Sequence, residues 1–417
     1  MTEVEAHLVV VGASLAGLRA VEAARRAGFA GIITLVGSEE HLPYDRPPLS
    51  KDFLTDVESP PIPTLREEAL LRDELGVHLR LGAPATGLNT TDRTLFVDNE
   101  PLHYTSLVIA TGASPRTIPG TEGLAGVHVL RTIDDARAIR SALDAGARTV
   151  VVGAGFIGSE IASSARQRGS VVTVVEAMPT PLARPVGEQM GAVLGSLHER
   201  NGTTLRCGVG VDAIEGQDRV EAVRLADGSR IEADLVVVGV GVAPNIEWLT
   251  DSGIELGNGI ECDKTLQTSA PGVYAAGDIA SWPNPLFDTR MRLEHWTIAA
   301  EQGGAAGRNA IDPENAVAFE TVPYFWSDWY GKRIQFVGVA AGFEEIDLVA
   351  GDLEGDTFVV LYRRGDRLAG ALALEQRSQV MKYRMMIAKG ASWDEAKEFA
   401  TARAAAAAAK AANPPPG

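Results

Sequence analysis

The stretch TVVVGAGFIGSEIASSARQRGSVVTVVE, residues 149–176, decides the fold. A β-branched run ends at Gly153, and the pattern Gly153-x-Gly155-x-x-Gly158 follows. Helical spacing then runs from Ile157 to Arg168, and a second apolar run closes on Glu176. Glycines between a strand and a helix let the backbone approach a pyrophosphate. The start of the helix supplies free N–H groups and a partial positive charge. A carboxylate ending the second strand can bind two ribose hydroxyls and repel a 2′-phosphate, so the unit reads as a dinucleotide site that prefers NADH to NADPH.

The same syllable occurs nearer the start of the chain. Residues 7–12 form an apolar run into glycine, 15–27 have helical periodicity, and 32–36 (IITLV) read as a second strand. The turn here is Gly12-Ala13-Ser14-Leu15-Ala16-Gly17, with Ser14 where the middle glycine belongs. A small side chain still fits that place. The second strand runs into LVGSEE, so the acid for a ribose is Glu39 or Glu40. Gly153 follows Gly12 by 141 residues, and two such units imply two nucleotide-binding domains. If one nucleotide is NADH, FAD suits the other, because a flavin takes a hydride and passes electrons onward. Two further strands end in glycine. TSLVIATG (105–112) sets Ala110, Thr111 and Gly112 beside the first cradle, and DLVVVGVG (234–241) carries Gly241. PGVYAAGD (271–278) places Asp278 just past a strand end, where it suits a ribitol hydroxyl.

The whole chain bounds the reading. Its 417 residues correspond to about three domains. Its 38 Lys and Arg against 55 Asp and Glu give a net charge of −17, which argues against a general polyanion binder. The two cysteines, Cys207 and Cys262, exclude a disulfide scaffold and fit a reducing, cytoplasmic compartment. MTEVEAHLVVVGASLAG has Glu3 and Glu5 where a signal peptide needs positive charge, and no apolar run is long enough to span a membrane. The seven histidines lie too far apart in sequence for metal-ligand spacing, so no metal site is expected. From about 320 the texture changes. An aromatic cluster precedes short strands at 334–339, 357–362 and 368–374 and a helix at 376–388. Residues 318–400 read as a separate α+β domain, and 401–417 as an Ala- and Pro-rich tail, a frayed helix giving way to disorder.

With these motifs in order, the chain resembles the two-dinucleotide-domain flavoprotein reductases of the glutathione-reductase-like superfamily. Within them it is similar to the NADH-dependent ferredoxin reductases that feed oxygenases. The resemblance rests on VVVGASLAG, PYDRPPLSK (43–51), LVIATGASPR (107–116), VLRTIDDA (129–136), VVVGAGFIGSEIA (150–162), GVGVAPN (239–245), VYAAGDIA (273–280) and VPYFWSDW (322–329). It implies an α/β fold with two Rossmann-like domains and a C-terminal α+β domain. The FAD domain would be discontinuous, 1–112 and 242–317, with the NAD domain, 113–241, inserted. Gly12, Ser14, Ala16, Gly17, Glu39, Ala110, Thr111 and Gly112 would hold FAD. Arg46 and Lys51 would face the flavin, Arg131 would reach the pyrophosphate, Asp278 the ribitol, and Trp296 the pyrimidine end. Lys51, the only lysine before position 264, would pair with Glu160 and hold positive charge near the reactive flavin nitrogen, favouring the reduced form. Gly153, Gly155, Ile157, Gly158, Glu176, Arg184 and Gly241 would bind NADH. Trp329 stands where many relatives have Gln, at the expected flavin edge, where it could alter partner contacts.

The cysteines direct the chemistry. Relatives that reduce disulfides carry cysteines beside the flavin, whereas residues 40–52 have none. Electrons would therefore leave the flavin directly: hydride transfer from NADH to FAD, then single-electron steps to a ferredoxin, of the 2Fe-2S kind. The ferredoxin would serve a Rieske dioxygenase or a haem-thiolate monooxygenase. A partner of the usual acidic kind would need a local basic patch, drawn from Arg290/Arg292, Lys332/Arg333, Arg363/Arg364 or Lys382/Arg384. Two other readings stay open: an NADH oxidase or quinone reductase, and an apoptosis-inducing-factor-like flavoprotein that responds to NADH.

Overall fold

In the computed structural model, residues 5–56, 58 and 60–412 are described, with side chains to residue 406. The chain forms two compact units, each assembled from separated stretches. One takes the chain up to Arg46, Pro61–Ser114 and Val242–Thr321; the other takes Pro47–Pro60, Pro115–Gly241 and the chain from Val322.

The first unit is built on a five-stranded parallel sheet, in the order Val273–Ala275, Ser106–Ile109, His7–Val11, Ile32–Val36, Val77–Arg80. His7–Val11 is central and pairs in parallel with both Ile32–Val36 and Ser106–Ile109. A strand covered on both faces must be apolar throughout, and Leu8, Val9 and Val10 have no exposed surface. The helix Leu15–Arg26 returns over the sheet and packs on Trp296–Ile311. That packing is close because Gly303 and Gly307 face Ala16 and Ala20. A Cβ on either glycine would sit within 2.2–2.3 Å of a carbonyl oxygen of the facing helix.

The second unit repeats the plan. Its parallel sheet runs Thr204–Cys207, Val172–Glu176, Thr149–Val152, Leu235–Val238, Val127–His128. The helix Phe156–Gln167 crosses over it, one residue earlier at each end than the periodicity predicts. After a small antiparallel sheet of Val211–Gly216, Val220–Leu225 and Arg230–Glu232, a five-stranded antiparallel sheet follows in the order Tyr324–Trp329, Lys332–Gly338, Arg367–Leu374, Phe358–Arg364, Glu345–Gly351. It does not stand alone. Phe325, Trp329, Phe336, Phe358 and Tyr362 share one buried cluster with Val186, Met190, Leu194 and Leu197. The segment read as a domain over 318–400 thus draws its core partly from the helix Glu188–Arg200. The final helix, Trp393–Ala412, runs through the alanine-rich stretch. Alanine has the highest helix propensity, and Ser392 and Glu395 cap the helix reciprocally. Residues 413–417 of the expected tail lie outside the described residues.

The short segment Pro47–Pro60 belongs to the second unit although the chain on either side of it belongs to the first. Leu54 is fully buried in the cluster that holds Ile139, Val151 and Ile161, a burial worth about 1.5–3 kcal/mol. Arg140 donates to the carbonyls of Phe53 (2.8 Å) and Asp56 (2.7 Å), and Arg168 donates to Asp56 as well (2.9 Å). The Ser164 hydroxyl binds the Ser50 carbonyl at 2.6 Å.

His198, on the helix Glu188–Arg200, is fully buried. Its Nδ1 lies 2.7 Å from Tyr330 Oη and its Nε2 3.1 Å from Ser159 Oγ. Burial lowers its pKa from 6.5 to about 4. The unfolded chain therefore takes up this proton at higher pH than the native chain. The stabilising contribution is full above pH 6.5 and is lost as pH falls toward 4. Between pH 7 and pH 5 the loss is about 2 kcal/mol. Urea denaturation at the two pH values should show this loss in the wild type and a smaller one in His198→Gln. An equal loss in both would exclude His198 as its source.

Candidate functional site

In the first unit the chain turns from the strand His7–Val11 into the helix Leu15–Arg26 through Gly12, whose φ is +112°. A Cβ there would lie 2.1 Å from the Ala110 carbonyl oxygen, so only glycine fits. The strand Ser106–Ile109 brings Ala110, Thr111 and Gly112 to the same end of the sheet, and Asn245 Nδ2 fixes the Thr111 carbonyl at 2.9 Å. Ser14 is the N-cap of the helix, but its side chain makes no capping hydrogen bond. The first-turn N–H groups are left for another acceptor. The helix Ile133–Asp144 contrasts with this, since Thr132 and Asp135 cap it in both directions. Near the Gly12 turn, Gly277 packs on Ala16, and the Gly277 N–H donates to Gln302 Oε1 (2.9 Å). Gln302 is fully buried, and among the described residues its Nε2 has no hydrogen-bond partner. A glycine-walled turn, an uncapped helix and an unused buried amide donor fit the pyrophosphate of a dinucleotide.

Glu39 and Arg46, given separate roles in the sequence reading, pair with one another at 2.7 Å. Tyr44 Oη also donates to Glu39, at 2.5 Å. Arg46, which the resemblance sets facing the flavin, thus also holds Glu39. Trp296 opens the helix Trp296–Ile311, and its indole N–H donates to Asp45 Oδ1 at 2.7 Å. Asp278 follows Gly277 and is half-buried, its carbonyl bound by Arg292 at 2.8 Å.

The second unit holds the matching cradle. Gly153 has φ +101°, and a Cβ there would lie 2.3 Å from the Gly239 carbonyl oxygen. Gly158 touches the Gly153 carbonyl in the same way. Gly155, the N-cap, has nothing within 4 Å of an added Cβ, and no side chain caps the helix. Open space lies over the helix start, as a bound pyrophosphate requires. Glu176 ends its strand and accepts from the backbone N–H groups of Ala154 (2.7 Å) and Met178 (2.8 Å). Those bonds fix the carboxylate at the cradle. Ile157, Met178 and Val240 are among the few large apolar side chains left exposed, at 45%, 37% and 43%. All three come from segments that form this end of the sheet, which suits a flat apolar ligand. Gly241, φ +98°, follows Val240. Arg184 is exposed on the short helix Ala183–Val186, and Arg131 precedes the helix Ile133–Asp144, with its N–H on Asp135.

Lys51 and Glu160 lie together. Lys51 Nζ is 2.7 Å from Glu160 Oε2, and Glu160, on the helix Phe156–Gln167, is 3% exposed. Ser50 Oγ also donates to Oε2, at 2.5 Å. The other oxygen, Oε1, accepts from Ser327 Oγ (2.6 Å) and from the Asp328 N–H (3.2 Å). Sequence reasoning named neither serine, although both stand inside quoted blocks, beside Lys51 and within FWSD. Trp329 is fully buried and lies in the aromatic core. It therefore does not present a surface to a partner, contrary to the expectation at that position.

Neither cysteine suits redox exchange. Both are free. Burial raises the Cys207 thiol to about 11, helped by Glu176, and the Cys262 thiol to about 12, so both stay protonated. Most of the proposed basic docking pairs are engaged with acids: Arg290 with Glu261 (2.8 Å), Arg292 with Glu294 (2.8 Å), Lys332 with Asp356 (3.0 Å), Arg333 with Asp328 (2.6 Å) and Arg363 with Glu345 (3.1 Å). Among the described residues no group of three or more His, Cys, Asp or Glu could hold a metal, and no helix is long and apolar enough to cross a membrane.

Comparison with known proteins extends the geometry. Residues 6–303 match the model of the family described as pyridine nucleotide-disulphide oxidoreductase, and residues 324–408 match that described as reductase C-terminal. The chain is 36% identical to rhodocoxin reductase of Rhodococcus erythropolis, covering 91% of this chain and 89% of that protein. It is 38% identical to the ferredoxin–NAD(+) reductase component of the p-cumate 2,3-dioxygenase system of Pseudomonas putida, covering 86% and 87%. Its fold matches putidaredoxin reductase in the covalent complex with putidaredoxin, with a TM-score of 0.88 and 32% identity over 92% and 93% of the two chains.

A buried ion pair costs most when only one partner is removed. Glu160→Ala strands Lys51 and leaves two serine hydroxyls without their acceptor. It should destabilise the protein by about 3–5 kcal/mol in urea unfolding. The double variant Lys51→Met/Glu160→Leu should cost less than the single one. A double variant less stable than Glu160→Ala would contradict the assignment of that cost to a stranded charge.

Proposed function

Because the chain belongs to the pyridine nucleotide-disulphide oxidoreductase family, we propose that it is an NADH-dependent, FAD-containing ferredoxin reductase. Its partner is a small iron–sulfur protein of the 2Fe-2S kind that supplies an oxygenase. The observation that carries this reading is the pair of glycine cradles, each with an uncapped helix start behind it. The relatives' names add the direction of electron flow: they are reductases that couple NAD(+) to ferredoxins, or components of oxygenase systems.

FAD takes the first cradle. Ser14, Ala16 and Gly17 would offer backbone N–H groups to its pyrophosphate, Gly12, whose own N–H is bound to the Val36 carbonyl, would shape the turn, and Ala110, Thr111 and Gly112 would close the other side. Asp278 suits the ribitol, and Glu39 the adenosine end. When bound, FAD supplies the step from a two-electron donor to a one-electron acceptor. NADH takes the second cradle, Gly153, Gly155, Ile157 and Gly158, with Gly241 on the facing loop. Glu176 receives the ribose hydroxyls and disfavours a 2′-phosphate. Arg184, exposed on the short helix Ala183–Val186, has the charge for the NADH phosphates. Arg131 suits the FAD pyrophosphate, and Trp296 the pyrimidine end of the flavin.

Lys51 and Glu160 are the charged pair that faces the flavin ring. A lysine held by a buried carboxylate keeps its ammonium in one place, and a fixed positive charge stabilises the negative charge that arrives on reduction. Hydride transfer needs no protein acid or base, so the task of these residues is to orient, exclude water and set charge. Residues 113–241 act as the NAD domain, inserted between the parts of the FAD domain at 1–112 and 242–317. Residues 318–400 complete the protein on the partner side. Two free, protonated thiols suit a reducing compartment, and we place the protein in the cytoplasm.

The purified yellow protein, given NADH, should reduce a 2Fe-2S ferredoxin, followed by the bleaching of the ferredoxin's visible absorbance. NADH consumption by oxygen alone, with no ferredoxin reduced, would mark it as an oxidase. Glu176→Ala removes the hydrogen bonds to the ribose. It should raise the KM for NADH about 10- to 100-fold, as expected for 1.5–3 kcal/mol of charged hydrogen bonding, while the protein keeps its yellow colour. A colourless Glu176→Ala variant would reverse the roles assigned to the two cradles.

A further inference from the structure

The Glu160 carboxylate is held from two sides, and only one of them is the Lys51 side. On Oε2 it has Lys51 and Ser50; on Oε1 it has Ser327 and the Asp328 N–H. Behind Ser327 stands Trp329, whose indole Nε1 lies 2.8 Å from Ser327 Oγ. An indole N–H can only donate, so Ser327 Oγ must accept from it. That leaves the single hydroxyl hydrogen of Ser327 to point at Glu160 Oε1. Ser327 and Trp329 are both fully buried, so no water competes for these bonds.

The strand that carries them is pinned at its tip. Tyr330 and Gly331 form the two-residue turn between Tyr324–Trp329 and Lys332–Gly338, both with positive φ (+52° and +75°). Positive φ is unfavourable for tyrosine, and three bonds hold it. Its N–H donates to Ser163 Oγ (2.6 Å) on the helix that carries Glu160. Its hydroxyl donates to Thr203 Oγ1 (2.9 Å) and meets His198 Nδ1 (2.7 Å). The His198 ring lies 5.1 Å from that of Trp329, and its Nε2 reaches Ser159 beside Glu160. The helix and the strand are thus locked in register by buried polar groups on both sides of the carboxylate.

We propose that Trp329, acting through Ser327, is a positioning residue for the Glu160–Lys51 pair. The indole orients the hydroxyl, the hydroxyl fixes one carboxylate oxygen, and the other oxygen then holds the ammonium in a single place. This rests on the reading that Lys51 sets charge at the flavin. It adds that an aromatic residue in the core, which touches neither cofactor nor partner, tunes the same property.

The test is the midpoint potential of the bound FAD, measured by a spectroscopic redox titration of the yellow protein, with thermal unfolding to verify folding. Lys51→Met should move the potential to a more negative value. Ser327→Ala and Trp329→Phe should move it the same way by a smaller amount, and Ser327→Thr, which keeps the hydroxyl, should match the wild type. In a Lys51→Met background neither Ser327→Ala nor Trp329→Phe should add a further shift. A role in packing alone predicts lowered melting temperatures with an unchanged potential. If Lys51→Met shifts the potential and both Ser327→Ala and Trp329→Phe leave it unchanged, the positioning role is overturned and the reading of Lys51 stands. A shift with Ser327→Ala but not with Trp329→Phe overturns the part assigned to the indole. If Lys51→Met itself leaves the potential unchanged, the reading of Lys51 fails and the proposal falls with it.

Discussion

A carboxylate removed from water must find donors for both of its oxygens, or it will lose its charge or unfold the chain around it. Glu160 meets that requirement with four donors drawn from two separated stretches of sequence: Ser50 and Lys51, and Ser327 with the Asp328 backbone. Much of the second unit is arranged to keep those stretches in place. Arg140, Arg168 and Ser164 tie the carbonyls of residues 50–56 to the helices on which they sit. Tyr330 and Ser163 tie the hairpin to the helix bearing Glu160. Leu54 contributes burial on one side and the Trp329 cluster on the other. Apolar packing supplies the stability, while the carboxylate supplies the register.

The cradles follow a different logic, which explains why they are visible in the sequence. A strand, a glycine turn and a helix are contiguous, and their geometry is set by clashes within a few residues. The Gly153 Cβ clash with Gly239 and the open space over Gly155 need only short-range backbone geometry and one neighbouring strand. Even Ser14, an irregular letter in the first motif, is accommodated, because the N-cap position leaves its side chain outside the helix and uncommitted. The resemblance to reductases added what contiguity cannot supply: that Lys51 and Glu160, 109 residues apart, belong together.

What was not legible depends on long-range partners. Arg46 and Glu39, seven residues apart in the loop after the strand Ile32–Val36, pair with each other, a contact that no local pattern in the sequence announces. Trp329 was read at a flavin edge because of its place in a motif, yet alternation along Tyr324–Trp329 buries Phe325, Ser327 and Trp329 on one face. That alternation is visible in YFWSDW once the segment is known to be a strand. The signal was masked because Trp326 and Tyr324 are aromatic on the other face too. Of the five strands of the C-terminal sheet, Tyr324–Trp329 and Glu345–Gly351 are not among the three that the sequence predicts; the latter carries Glu345, Asp347 and an exposed Leu348 and lacks a clear apolar run. Only pairing with Phe358–Arg364 makes it a strand.

The net charge of −17 bears on partner choice through distribution as well as sum. Most of the basic pairs singled out in the sequence have an acid within hydrogen-bond range, so a docking acidic protein would have to compete with those acids. Exposed ion pairs are worth less than about 1 kcal/mol each, so the competition is cheap, and each arginine can re-pair across an interface. A surface of paired charges then discriminates by geometry. It offers its cations only where the incoming carboxylates match their spacing, and it repels acidic proteins that do not. For the ferredoxin reductase proposed here, whose partner would be a small acidic iron–sulfur protein, such a surface would suit the task better than a bare basic patch. It also reconciles a strongly acidic chain with an acidic partner.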